Sequence, residues 1–84
     1  MNNDKAIIVF NMQKRNMTVD LEVPLNITAN ELVIALNSAY ELEIDTTDVK
    51  NCYLKAENPI TLLRGNKTLA EFEIRNGSII NYTE

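Results

Sequence analysis

Seven residues, Met17 to Val23 (MTVDLEV), alternate strictly between apolar and polar side chains. Met17, Val19, Leu21 and Val23 share one side; Thr18, Asp20 and Glu22 share the other. A period of two over this length specifies a half-buried strand. Just before it, Ala6 to Met12 (AIIVFNM) is rich in β-branched and aromatic residues and reads as a second strand. The polar stretch Gln13 to Asn16 is short enough to join the two as a hairpin. A hairpin alone is marginal in water, so the rest of the chain must cover its apolar side.

The cover is one helix. Pro24 closes the second strand because it has no amide to give to a ladder. Thr28-Ala29-Asn30-Glu31 has the spacing of a capping box, in which the Thr hydroxyl and the Glu carboxylate satisfy first-turn amides reciprocally. Leu32, Leu36, Ala39 and Tyr40 follow at helical intervals, with Val33 and Ala35 widening the stripe, and the helix is expected to end at 41–43. Asp45 to Asp48 reads as a loop. Cys52 to Ala56 reads as a strand broken by Asn58-Pro59, and Ile60 to Arg64 as a short fourth strand closed by Gly65. Leu69, Phe72 and Ile74 lie in a turn-rich segment and are expected to fold over the core. Asn76-Gly77 marks a turn, and Ser78 to Tyr82 is the last strand.

With 84 residues and 45% hydrophobic content, the chain has material for a single core. Residues 1–84 are read as one domain, with 1–4 and 83–84 expected to fray. The order is strand, strand, helix, strand, short strand, strand. A right-handed crossover through the helix lays the last strand parallel to the first. The fold expected is α+β: a β-grasp, with a mixed sheet of four to five strands and one helix packed on one face.

Composition narrows function by exclusion. Eight Lys and Arg stand against twelve Asp and Glu, a net charge of −4 that argues against nucleic acid as a partner. No apolar run is long enough for membrane insertion, and the N-terminus lacks the pattern of a signal peptide. There is no His and one Cys, so an internal disulfide, a cysteine-built metal site and an iron–sulfur cluster are excluded, and Cys52 has no imidazole to activate it. Glu41, Glu43, Asp45 and Asp48 lack the spacing of a calcium loop and read as a solvated acidic edge. Lys14, Arg15, Lys50, Lys55, Arg64, Lys67 and Arg75 are scattered and read as solubilising charge. No catalytic, cofactor or metal residue is assigned, and a disulfide-free domain suits a reducing cytoplasm.

One row of apolar residues has no obvious place in the core. Either parity of the first strand leaves an apolar side away from the helix. If Ile7 and Val9 face the helix, Ile8, Phe10 and Met12 face out. Ile79 joins them if Ile80 and Tyr82 point inward, and Tyr53 does so if Cys52 and Leu54 point inward. The expected patch is Ile8, Phe10, Tyr53 and Ile79. Such a patch is a protein interface, or is covered by an edge loop, or rests on a parity off by one.

The run Gly65-x-x-x-Leu69-x-x-Phe72-x-Ile74-x-x-Gly77-x-x-Ile80-x-Tyr82 resembles the signature of ubiquitin-like proteins around the loop before the last strand. Val19 to Val23, with Thr28 opening a helix, is similar to their second strand and helix start. Within that group, Asp20-Leu21-x-Val23-Pro24 and Leu69-x-x-Phe72-x-Ile74-x-Asn76-Gly77 resemble the small YukD/EsaB-like proteins of bacterial type VII (WXG100/Ess) secretion systems. The resemblance implies a cytoplasmic, unconjugated accessory protein that contacts membrane-anchored components of the secretion machine; the open face of the sheet is expected to dock such a partner or a second copy of the chain. The alternative is a sulfur carrier or modifier. That chemistry needs a C-terminal Gly-Gly, whereas the sequence ends Ile80-Asn81-Tyr82-Thr83-Glu84, so it is disfavoured.

Overall fold

A computed structural model of the chain describes residues 4–83. The expected fraying at 1–3 and 84 lies outside them. Asp4 is already tied down, its carbonyl accepting from the Leu25 amide. The elements are β1 (Lys5–Met12), a 3₁₀ turn (Gln13–Arg15), β2 (Met17–Pro24), α1 (Ala29–Tyr40), β3 (Leu54–Glu57), β4 (Thr61–Leu63) and β5 (Ile79–Tyr82). The five strands form one sheet in the order β2-β1-β5-β3-β4. β5 runs parallel to β1, and every other pairing is antiparallel. This is the expected β-grasp arrangement, with the helix on one face.

The hairpin closes through Asn16, whose left-handed backbone (φ 57°) ends the 3₁₀ turn and returns the chain. Asn tolerates this region better than most residues. The capping box forms as the sequence predicts: Glu31 N donates to Thr28 Oγ1 at 3.0 Å, and Thr28 N donates to Glu31 Oε1 at 2.9 Å. The helix ends at Tyr40, slightly earlier than expected, because Glu41 turns left-handed (φ 54°) and Leu42 drops into the core. Ala35 and Ala39, assigned to the buried stripe, are exposed. The stripe that packs is narrower: Ala29, Leu32, Val33 and Leu36 are buried, and Tyr40 packs half-buried against the core.

The parity of β1 is the main correction to the sequence reading. Ala6, Ile8, Phe10 and Met12 face the helix and are buried, Ile8 and Phe10 fully so. Ile7 and Val9 face away. The physical reason is visible in the two rows. The even row is apolar throughout, whereas the odd row carries Lys5 and Asn11, whose burial without partners would be costly. Register reinforces this choice. Phe10 pairs with Ile80 and Val19, and Ile8 pairs with Leu21. All are residues of the core face or packed against it. Phe10 also meets the Tyr40 ring at 5.4 Å between centroids, joining sheet to helix.

Phe10→Ala is expected to cost about 3–5 kcal/mol, and Ile7→Thr under about 1 kcal/mol because Ile7 is 55% exposed. Urea melts of both variants check this, and a larger loss for Ile7→Thr than for Phe10→Ala would mean that the parity is reversed. Thr28→Ala is expected to cost about 1 kcal/mol through loss of the cap, read as a lower urea midpoint with an unchanged slope.

Candidate protein-binding face

Among the described residues, the side of the sheet opposite the helix leaves Ile7, Lys55 and Leu62 exposed and Val9 and Ile79 half-buried. Cross-strand pairing defines what it displays. One rung reads Asp20 (β2), Val9 (β1), Ile79 (β5) and Glu57 (β3), each the direct partner of the next. Ile7 and its partner Glu22 lie on the rung above. Thr18, Asn11, Asn81, Lys55 and Leu62 form the rung below.

The lower rung is tied by hydrogen bonds across four strands. Thr18 Oγ1 donates to Asn11 Oδ1 at 3.3 Å, Asn11 Nδ2 to Asn81 Oδ1 at 3.0 Å, and Asn81 Nδ2 to Glu57 Oε2 at 2.9 Å. This chain satisfies Asn81, which is nearly buried, and fixes the side chains of the rung. It also divides the face. Above it lies an aliphatic island of Ile7, Val9 and Ile79 beside Asp20, Glu22 and Glu57. Below it, an open groove of about 530 Å³ is lined by Gln13, Lys55, Ile60, Leu62 and Asn81.

The expected patch is therefore not assembled as four residues. Ile8 and Phe10 are fully buried on the other face. Tyr53 and Ile79 are half-buried on the outer side, but Lys55 and Asn81 separate them. Tyr53 lines a different solvent-open hollow with Glu43, Ile44, Asp45 and Asn51. Ile7 and Val9 take the places assigned to Ile8 and Phe10. The polar residues Lys5 and Asn11 at the ends of the odd row carried the signal for this.

The other candidate chemistry disperses. Cys52 is buried, its thiol donating to Asn30 Oδ1 at 3.1 Å. Burial, and secondarily the charge of Asp45, pushes its pKa above the ordinary thiol value, which disfavours the reactive thiolate. Asp45 is exposed, and hydrogen bonds from the Thr47 hydroxyl and amide hold its carboxyl below the usual range. That local stabilisation is present above the ordinary carboxylate range and is lost as pH falls through the lowered value. No group of three potential metal ligands occurs among the described residues.

Several cations expected to be loose surface charge hold the fold together. Both terminal nitrogens of Arg15 donate to carbonyls at the helix C-terminus, those of Tyr40 and of the capping residue Glu41. A cation there complements the helix dipole. Lys67 sits 4.9 Å over the Phe72 ring, and Arg75 donates to Asn58 at 3.2 Å. Asp20 and Glu22, in contrast, have no side-chain partner among the described residues. Reaction of Cys52 with a disulfide reagent at pH 8 is expected to be slower in the native protein than in urea by on the order of 100-fold or more. Equal rates would place the thiol at the surface.

Comparison with solved structures supports the fold. The chain is similar to a de novo designed protein based on ubiquitin (TM-score 0.65, 18% identity, covering 95% of this chain and 88% of that one). It is also similar to the C-terminal ubiquitin-like domain of mouse tubulin-specific chaperone e (TM-score 0.69, 8% identity, covering 100% and 92%). At such identities the likeness speaks for the fold alone. No curated protein matches the chain. No helix among the described residues is long and apolar enough to cross a membrane. The sequence profile of the WXG100 protein secretion system (Wss) protein YukD matches residues 7–81. The chain, a ubiquitin-like β-grasp domain, therefore belongs to the YukD family of the WXG100 (type VII) secretion system.

Proposed function

We propose that this chain is a non-catalytic protein-interaction module, an accessory or regulatory component of a bacterial type VII secretion system. It works in the cytoplasm, is not conjugated to targets, and docks on membrane-anchored components of the machine through the outer face of its sheet. The observation that carries this reading is the island of Ile7, Val9 and Ile79, with Ile7 55% exposed on a face the helix leaves open. Exposed aliphatic residues backed by a rigid sheet suit a pocket-filling anchor. The chain offers little to catalysis: its lone thiol, in the segment before β3, is buried, and the carboxylates flanking the aliphatic residues of the sheet are exposed.

Ile7→Lys tests the reading. It removes the anchor on a half-exposed strand position next to Glu22, where a lysine is tolerated. Binding to the purified cytoplasmic portions of the membrane-anchored components from the same secretion locus is expected to weaken at least tenfold, about 1.4 kcal/mol, with an unchanged melting curve. Undiminished binding contradicts the docking face. Intact mass of the protein from its native host is expected to equal that of the unmodified chain. A heavier species joined through its C-terminus would instead favour a carrier or modifier.

A further inference from the structure

The rung Asp20–Val9–Ile79–Glu57 sets two carboxylates at the ends of a row with two aliphatic side chains between them. The geometry points to an extended polypeptide segment of the partner as the ligand of this rung, one that carries two Lys or Arg residues four positions apart with an aliphatic residue midway. This deepens the docking role proposed above and rests on it.

The spacing follows from sheet dimensions. From β2 to β3 are three strand intervals, about 14 Å in all. An extended chain rises about 3.3 Å per residue, so four residues span about 13 Å. Residues i, i+2 and i+4 of such a chain point to one side. Two cations therefore reach Asp20 and Glu57 while the residue between them rests on Val9 and Ile79. On a helix, residues four apart are only about 6 Å apart along the axis, too close to reach both carboxylates.

Charge chooses this partner over a second copy of the chain. Asp20 and Glu22 have no side-chain partner among the described residues, and Glu57 is held in place by Asn81 at 2.9 Å. Arg15, Lys67 and Arg75 are engaged within the fold. On the outer face itself, Lys5 lies two residues beyond Ile7 on β1, and Lys55 lies on the lower rung. Three carboxylates, Asp20, Glu22 and Glu57, flank the aliphatic island against these two lysines, which leaves the face net negative. Two copies stacked face to face would bring these like charges together, whereas a cationic segment neutralises them.

The probe is the peptide Ser-Lys-Thr-Leu-Thr-Lys-Ser, blocked at both ends and titrated into the isotope-labelled protein. Saturable shifts of the Ile7, Val9 and Ile79 methyl resonances are expected, with Ile8 and Ile80 unmoved. The Glu-for-Lys peptide and the Ser-for-Leu peptide are expected to bind at least threefold more weakly, and Asp20→Asn combined with Glu57→Gln to lose at least threefold, as two surface charge pairs imply. Raising salt from about 50 mM to 500 mM has the same direction of effect. Equal binding of the Glu peptide, no binding at all, or shifts centred elsewhere overturns the inference. Concentration-dependent shifts of the same methyls without peptide overturn it in favour of a second copy. If the peptide fails while Ile7→Lys still abolishes binding to the secretion components, the docking face stands and only this ligand chemistry falls. If Ile7→Lys leaves that binding intact, the docking face falls as well.

Discussion

The parallel pairing of β1 with β5 is the constraint on which the rest of the molecule depends. It joins residues about seventy positions apart, Val9 to Ile79 and Met12 to Tyr82, and puts both strands in the middle of the sheet. A parallel pair needs a long crossover, and α1 lies on that crossover. Once the pair is set, Ile8, Phe10, Met12 and Ile80 point to one side and are buried. Ile7, Val9 and Ile79 necessarily point to the other. The core and the candidate binding face are thus two sides of one pairing, and a change of register would exchange them.

The loops are fixed by a few polar side chains. Asn37 bonds to both the amide and the carbonyl of Ile44, at 2.9 and 3.2 Å. Buried Ser78 accepts from the Arg75 amide and donates to the Asn58 carbonyl. The Tyr82 hydroxyl donates to the Leu42 carbonyl. Each bond satisfies backbone that would otherwise lack a partner, at a net gain of about 1 kcal/mol. Together they fix the connections between the elements.

Much of the fold was legible because its signals are local. The alternation in Met17 to Val23, the Thr28 capping box and the Asn76-Gly77 turn each depend on residues a few positions apart, and each forms where the sequence predicts it. Periodicity alone does not choose a side for β1, because its apolar residues occupy consecutive positions. The polar residues Lys5 and Asn11 did choose it, as did Thr18, Asp20 and Glu22 across the hairpin. The placement of Arg15 on the helix end and the hydrogen-bonded row from Thr18 to Glu57 were not legible. They arise only when distant strands come together. The aliphatic island is not legible locally for the same reason, since Ile79 joins Val9 only through the long-range pair.

The central claim is that the odd row of β1 faces solvent in the free protein and a partner in the working one. Paramagnetic relaxation of the isoleucine methyl groups by a soluble gadolinium chelate, measured with and without the cytoplasmic part of the membrane-anchored secretion component, tests it most directly. Ile7 is predicted to relax strongly when the protein is free and to become protected in the complex, with Ile8 and Ile80 protected in both. Strong relaxation of Ile8 in the free protein, or of Ile7 in the complex, would contradict the account.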